Sequence, residues 1–368
     1  MFVELGIIIS KIAWVLINIL NGAGILTWVE RKQSALISDR IGANRASILG
    51  IKLLGLINSL ADAMKLIFKE DFVPPRSVRT LHFIAPLFAM APVFLTMAVI
   101  PFGPPIEIFG REVKMQILDV DIGVLYILAF GSIAVYSAIL AGWASNSKYA
   151  LLGGMRSAAQ MISYEIILGL SLIGPILVFG TLEPGQMVNV QNEYLWGWIP
   201  KWGIIVQPVA FLLFLPAAMA ETKRAPFDMP EGESEIIGYA TEYSGMRWGM
   251  FFLGEFAEIV VLSGVMTAIF FGGYHIPWLF DAGEMAGQAG FHFPWGMYVA
   301  LGDWTVVILR VIAFATKLAM LMWLQMQIRW TFPRFRYDQL MRVSWKEMMP
   351  IALVNIAVTG LIILMLEG

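Results

Sequence analysis

The run WGMFFLGEFAEIVVLSGVMTAIFFGG (248–273) contains two carboxylates, Glu255 and Glu258, and no basic side chain. Everything else in it is apolar, aromatic, small or hydroxylic, and a helix of about 20 such residues crosses a bilayer core of roughly 30 Å. Comparable runs lie at about 6–29, 81–102, 121–143, 158–180, 203–220, 304–328 and 348–366, which predicts eight spans. The whole chain of 368 residues is 58% hydrophobic and 14% charged, with a mean hydropathy of +0.73. A membrane β-barrel would instead show alternating segments of about ten residues. The sequence therefore predicts an all-α polytopic membrane protein, with 1–368 as a single membrane domain.

The basic residues predict its orientation. Loop 30–80 holds nine Lys and Arg, 144–157 two, 221–247 three and 329–347 five, whereas the opposite side holds only Lys11, Arg111, Lys114 and Lys201. Nineteen against four places the first group in the cytoplasm and both termini outside. Glu4 spoils a basic leader region, and the first apolar run is long enough to be kept as a span. Within loop 30–80, Lys52, Gly55, Asn58, Ser59, Asp62, Lys65 and Lys69 form a polar stripe along 51–68. That pattern fits an amphipathic helix at the membrane interface, or a loop helix packed against the spans. The outer loops 181–202 and 274–303 carry Gly, Pro and Trp and suggest short interfacial segments.

Cysteine is absent, which excludes disulfides, thiolate zinc sites and iron–sulfur ligation by this chain. His82, His275 and His292 are too scattered to predict a metal site. Nothing points to nucleic acid. Any redox centre must sit on a partner or a mobile small molecule.

Six charges fall inside the spans or at their ends: Glu165, Glu221, Glu255, Glu258, Arg310 and Lys317. Such residues cost about 2.5–3.5 kcal/mol each near the bilayer centre and commonly mark ion or proton paths. Static ion pairs that fix helix register are the alternative. Beside them, the stretch RAPFDMPEGESEIIGYATEYSG (224–245) gathers Asp228, Glu231, Glu233, Glu235 and Glu242. A calcium loop of EF-hand type would need glycine sixth from Asp228, but Gly232 is fifth and Pro230 interrupts. Paired glycosidase carboxylates have no sugar-binding context here. A plain solvated loop explains poorly the interleaved Phe227, Met229, Ile236, Ile237, Tyr239 and Tyr243. The mixture suits a bendable loop against a partly hydrophobic ligand.

The blocks WVERK (28–32), DRIGANR (39–45), ADAMKLIFKED (61–71), GWASNSKYALLGGMRSAAQMISYE (142–165), AETKRAPFDMPEGESE (220–235), TEYSGM (241–246) and PRFRYDQLM (333–341) run over nearly the whole chain. With them the sequence resembles the H subunits of respiratory complex I, the proton-pumping NADH:quinone oxidoreductase. The resemblance implies a subunit without catalytic residues of its own, forming much of a quinone chamber and the start of an acidic proton-coupling channel. Arg31, Arg40, Asp62, Lys65, Phe227 and Asp228 match chamber positions. Glu165, Glu221, Asp228, Glu231, Glu233, Glu235, Glu242 and Glu255 match the channel. Quinone is then the substrate, and iron–sulfur clusters and FMN belong to partner subunits. The implied partners are the peripheral iron–sulfur and quinone-site subunits, the small membrane subunits, the antiporter-like subunits and lipid, in a bacterial plasma membrane.

The chain departs from the family pattern in places. Ala43 stands where proline is common, RASILGIKLLG (45–55) replaces a glycine- and proline-containing continuation, and the segment between Glu235 and Glu242 is one residue shorter. Glu258 and Arg310 lack family counterparts, which predicts that they pair with each other and leave Glu255 free to titrate. Loop 274–303 is longer than the family's minimal form and suggests an accessory contact. The homologous membrane anchor of a proton-pumping hydrogenase, and a stand-alone ion carrier or channel, are the rival readings.

Overall fold

The structure is a computed structural model that describes residues 2–108, 111–229, 238–281 and 289–367. Twelve α-helices carry the described residues: α1 (Phe2–Ile37), α2 (Ile57–Phe68), α3 (Arg79–Met97), α4 (Gly123–Ala144), α5 (Lys148–Phe179), α6 (Pro184–Val190), α7 (Gly203–Val206), α8 (Pro208–Glu221), α9 (Gly245–Phe270), α10 (Asp303–Thr331), α11 (Tyr337–Arg342) and α12 (Met349–Glu367). Among the described residues, seven helical segments are long and apolar enough to cross a membrane: α1, α3, α4, α5, α9, α10 and the α11–α12 stretch. The chain is a multi-pass, all-α membrane protein.

The fifth predicted run is built differently. It breaks at Gln207 into the four-residue α7 and the 14-residue α8, with Pro208 opening the second piece. Proline at a first helical position gives up no helical hydrogen bond, so the break is cheap. Gly203 starts the short piece because its Cα lies against the Ile269 and Phe270 backbone of α9, where any Cβ would meet the Ile269 carbonyl oxygen. The last run is interrupted too: a π-helical turn, Val343–Met348, joins α11 to α12.

Helix α9 is the axle of the bundle. Eighty-three percent of its apolar window is buried, against 11–50% for the other six long segments, which decides that it is surrounded by protein while they face outward. Its residues Phe256, Val260, Val265 and Ile269 enter one continuous core with Ile19 and Leu26 of α1, Val93 and Met97 of α3, and Phe214 of α8.

Hydrogen bonds collect the loops at two ends. At the basic end, Val78 N donates to Ala144 O at 2.9 Å, Ser244 Oγ to Glu70 O at 3.0 Å, and Arg247 Nε meets Asp71 at 3.0 Å. At the far end, Lys11 Nζ donates to Gln116 O at 3.0 Å, and Gln191 Nε2 to Ala268 O at 2.8 Å. The far end also carries small antiparallel sheets that the apolar pattern does not announce: β1 (Gly103–Ile108) with β2 (Arg111–Met115), β3 (Tyr194–Leu195) with β4 (Ile199–Pro200), and a three-stranded unit of β5 (Leu279–Phe280), β6 (Gly290–His292) and β7 (Tyr298–Ala300).

The amphipathic segment starts later than the polar stripe suggests. Leu53 and Leu54 have φ of +40° and +55°, which ends any helix there, and the α-helix begins at Ile57. From Ile57 on, Leu60, Met64, Ile67 and Phe68 are exposed, while Leu66 reaches Gly249 of α9. One edge of α2 thus packs on the bundle, and most of its apolar surface does not.

Candidate functional site

The site begins at the turn after α8. Gln160 of α5 is fully buried, and its Nε2 donates to both the Ala220 and the Phe227 carbonyls at 2.7 Å. One amide group therefore clamps the two ends of the turn TKRAPF (222–227). Phe227 is packed between Tyr164, at 5.4 Å, and Phe335, at 5.6 Å between ring centroids. Asp228 accepts from Arg334 Nη2 at 2.6 Å. The Phe227 and Asp228 side chains are both buried, and they anchor the turn to α5 and to the segment after α10.

The clamp presents two cations that sequence reasoning counted only as loop charge. Arg224 is 7% exposed and donates Nη1 to Glu30 Oε2 at 2.7 Å. Its Nη2 lies 3.5 Å from Glu255 Oε2, and its guanidinium stacks 3.7 Å from the Phe256 ring centroid. Arg329 of α10 meets the same Glu30 oxygen at 2.8 Å. The hub joins α1, α9 and α10 through the turn. Lys223 is 5% exposed and holds a left-handed φ of +55°. Burial opposes its charge, but Tyr239 and the carboxylates of Glu258 and Glu255 outweigh that and hold its ammonium above the ordinary lysine range.

Below the turn, Glu165 of α5, Glu221 of α8 and Glu258 of α9 line one cavity together with Thr96, Leu128 and Val261. Its volume is about 40 Å³, room for one or a few water molecules. Ser132 Oγ donates to Glu165 Oε1. Glu221 is 4% exposed, and its Oε2 has no hydrogen-bond partner among the described residues. The charges of Glu258 and Glu165 both act on Glu221, so three ionised carboxylates here would repel one another.

This arrangement corrects the expected pairing of Glu258 with Arg310. Arg310 donates Nη1 to Asp281 at 2.9 Å and Nη2 to the Leu279 carbonyl at 3.1 Å. Depth is the reason. Lys317 of α10 is level with the end of α9, donating to the Phe271, Gly273 and His275 carbonyls at 2.7, 3.0 and 2.6 Å. Arg310 stands seven residues farther out, about 10 Å, and Glu258 twelve residues farther in, about 18 Å. The expected roles of the two α9 glutamates are thus exchanged. Glu255 sits against Arg224, and Glu258 faces the cavity.

A second feature lies toward the end of α1. A cleft of about 540 Å³ is lined by Glu30, Arg31, Ser34, Arg40, Arg45, Asn58 and Trp330, among others. Arg31 pairs with Asp62, and Lys65 Nζ is 3.9 Å from the same carboxylate. Of the six expected chamber residues, Arg31 and Arg40 line this cleft, Asp62 and Lys65 adjoin it through Arg31, and Phe227 and Asp228 belong to the packed turn. Glu242 is half-buried beside Tyr243, whose ring stacks on His82 at 3.9 Å. Glu231, Glu233 and Glu235 lie outside the described residues. Among the described residues no group of three His, Asp or Glu side chains could hold a metal ion. Sequence reasoning missed Ser132, Gln160, Lys223 and Arg224. The last two were visible as adjacent cations directly after an apolar span that ends in glutamate, which is an informative signal.

The comparisons with known proteins agree with one another. The NADH dehydrogenase family matches residues 10–360. An NADH-quinone oxidoreductase H subunit (number 1) of Geobacter metallireducens is 43% identical over 363 residues, covering 98% of both chains. The H subunit of the same enzyme from Bdellovibrio bacteriovorus is 40% identical over 96% of this chain and 95% of its own. Its counterpart from Thermomicrobium roseum is 41% identical, covering 95% and 94%. With a match over nearly its full length, the chain belongs to the H-subunit family of NADH-quinone oxidoreductases and is a membrane subunit of a multi-subunit oxidoreductase complex.

Proposed function

We propose that this chain forms the membrane end of a quinone chamber, with its basic end in the bacterial cytoplasm, and carries the first protonatable groups of the path coupling quinone reduction to proton movement. The observation that carries the proposal is the cavity shared by Glu165, Glu221 and Glu258. Three carboxylates in one small apolar-walled space cannot all be ionised without a large electrostatic cost. They hold protons as a group, and the proton content changes when a charge nearby changes.

The cleft at Arg31 and Arg40 supplies a place for a headgroup whose charge varies. A quinone that has taken up two electrons is anionic until protonated, and the guanidinium groups of Arg31, Arg40 and Arg45 favour that form. Glu30 lines this cleft and also accepts from Arg224, which in turn reaches Glu255. Charge in the cleft and charge in the bundle are therefore linked through one glutamate and one arginine. The relatives' names include quinone, which favours this reading over a hydrogenase anchor. FMN and iron–sulfur clusters belong to the partner subunits in this scheme, alongside the small and antiporter-like membrane subunits.

Glu221→Gln in the assembled complex tests the proposal. Native gel electrophoresis establishes assembly, and vesicles report protons moved per NADH oxidised. A drop of at least about tenfold in proton movement at normal assembly is expected, as for loss of a proton-transfer group. Unchanged proton movement would refute the role of the cavity.

A further inference from the structure

A second cleft, of about 380 Å³, opens between α1 and α10 and shares no lining residue with the one at Arg31 and Arg40. Trp28, Lys32, Gln33 and Leu36 of α1 line it, with Trp323 and Gln327 of α10. At 3.6 residues per turn, Lys32 and Leu36 face almost away from Arg31 and Ser34, so the two clefts flank α1. The spans read from the sequence end at about 29 and 328, which places this cleft across the membrane boundary at the basic end. Only 22% of the apolar window is buried in each of α1 and α10, so both helices face outward here. Tryptophan beside polar groups at such a boundary suits the headgroup layer. Trp28 Nε1 donates to the Leu54 carbonyl at 3.1 Å and Lys32 Nζ to the Ile41 carbonyl at 3.0 Å, so the loop after α1 holds both side chains in place.

Two polar groups in this wall lack the partners their chemistry calls for. Gln33 is 6% exposed, and neither its Nε2 nor its Oε1 has a hydrogen-bond partner among the described residues. A buried amide left so is expensive, and native chains seldom tolerate it. Lys32 spends one N–H on a neutral carbonyl, and no carboxylate is among the residues lining the cleft. The cleft thus offers a cation without a counter-charge, and an amide that needs both an acceptor and a donor.

We propose that it binds one glycerophospholipid of the leaflet at the basic end, with a headgroup that carries an N–H or O–H donor. Phosphodiester oxygens accept from Lys32 Nζ and Gln33 Nε2, and the headgroup's hydroxyl or ammonium donates to Gln33 Oε1. Rotation about the side-chain torsions of Gln33 carries its amide to the headgroup with α1 fixed. The acyl chains follow Ile25 of α1 and Met320 of α10, both exposed, which continue the same faces one turn deeper. Other occupants answer less of this chemistry. An oxidised quinone carries no charge for Lys32 and no donor for Oε1, and free phosphate leaves the apolar wall bare. A partner's transmembrane helix spends its backbone groups internally. The site stands apart from the quinone cleft and does not rest on its function.

The test uses the assembled complex reconstituted with photoactivatable phospholipids that carry a diazirine in an acyl chain, one with a glycerol and one with a choline headgroup. Mass spectrometry reads the label on peptides of 20–37 and 315–330, with α12, which does not line the cleft, as the background. The glycerol lipid should label the cleft peptides of the wild type well above α12. Gln33→Leu and Lys32→Met, each checked for assembly on native gels, should lower that excess about tenfold, the factor for one charge-assisted hydrogen bond lost. Should Gln33→Leu fail to assemble, Gln33→Met is read in its place. Lys32→Arg keeps the charge and should keep most of the label. The choline lipid, which has no headgroup donor, should label the wild type about as weakly as the glycerol lipid labels Gln33→Leu. Equal labelling by the two lipids, or an unchanged excess in Gln33→Leu and Lys32→Met, would overturn the proposal. So would a wild-type cleft labelled no more than α12, which would mean that a partner subunit covers it. Loss of the excess on adding inorganic phosphate would overturn it as well, since the site would then take the free anion.

Discussion

Replacing Arg224 with methionine should loosen the bundle at one identifiable place. Methionine keeps much of the volume and retains contact with the Phe256 ring through its thioether, so the change isolates the lost charge. Two carboxylates lose a partner, but unequally. Glu30 keeps Arg329 at 2.8 Å, whereas Glu255, 8% exposed, keeps the more distant field of Lys223. Breaking a buried pair by removing one partner costs about 3–5 kcal/mol. Because compensation is partial, the low end applies, about 3 kcal/mol. At a factor of ten for every 1.4 kcal/mol, that is a rise of more than about a hundredfold in the local opening constant. Hydrogen exchange by mass spectrometry on the intact complex reads this constant in peptides covering the first half of α9 and the last turns of α1. Peptides of α12, which does not touch the hub, serve as the internal reference. Arg224→Lys should fall between, since one ammonium cannot reproduce the guanidinium fork toward Glu30 and Glu255. An increase in exchange below about tenfold for Arg224→Met, with α12 unchanged, would show that the hub contributes little and that packing around α9 alone holds this end.

Two further outcomes test the other end and the broken span. Lys317→Met strands three backbone carbonyls at the end of α9 and removes a cation 4.5 Å from the Trp202 ring; a loss of about 3 kcal/mol should expose 271–281 to limited proteolysis, and unchanged cleavage would refute the capping role. Gly203→Ala drives a methyl group against the Ile269 carbonyl, costing about 1–3 kcal/mol; a lower melting temperature of the purified complex is expected, and an unchanged one would mean that α7 shifts freely.

Much of this was legible in the sequence because the bilayer simplifies the code. Apolar length alone located the spans, and Glu165, Glu221 and Glu258 declared themselves as charges that lipid would not tolerate. What stayed hidden depended on depth and on partners. Glu255 and Glu258 are three residues apart, so periodicity places them near one face, yet a turn from elsewhere decides which one is neutralised. Arg310 looked like a partner for Glu258 because both are intramembrane charges without family counterparts, but α10 extends outward past α9 and the two never share a level. Gln160 was invisible as a functional residue, since a polar side chain in an apolar helix gives no hint that it will clamp a turn sixty residues away. The small sheets at the far end were hidden because two- and three-residue strands leave no periodic trace.

The shortness of α8 has a consequence of its own. Its last turn is level with Gln160 of α5, Glu30 of α1 and Glu255 of α9, through the contacts of Ala220 and Arg224. From that level α5 runs 12 more residues to Lys148, α1 seven to Ile37, and α9 ten to Gly245, rising about 18, 10 and 15 Å. The turn therefore lies on the floor of a pit walled by its taller neighbours. A pit with low-permittivity walls concentrates field lines along its axis, so an ion arriving at the rim is felt at the floor more strongly than the same distance across open water would allow.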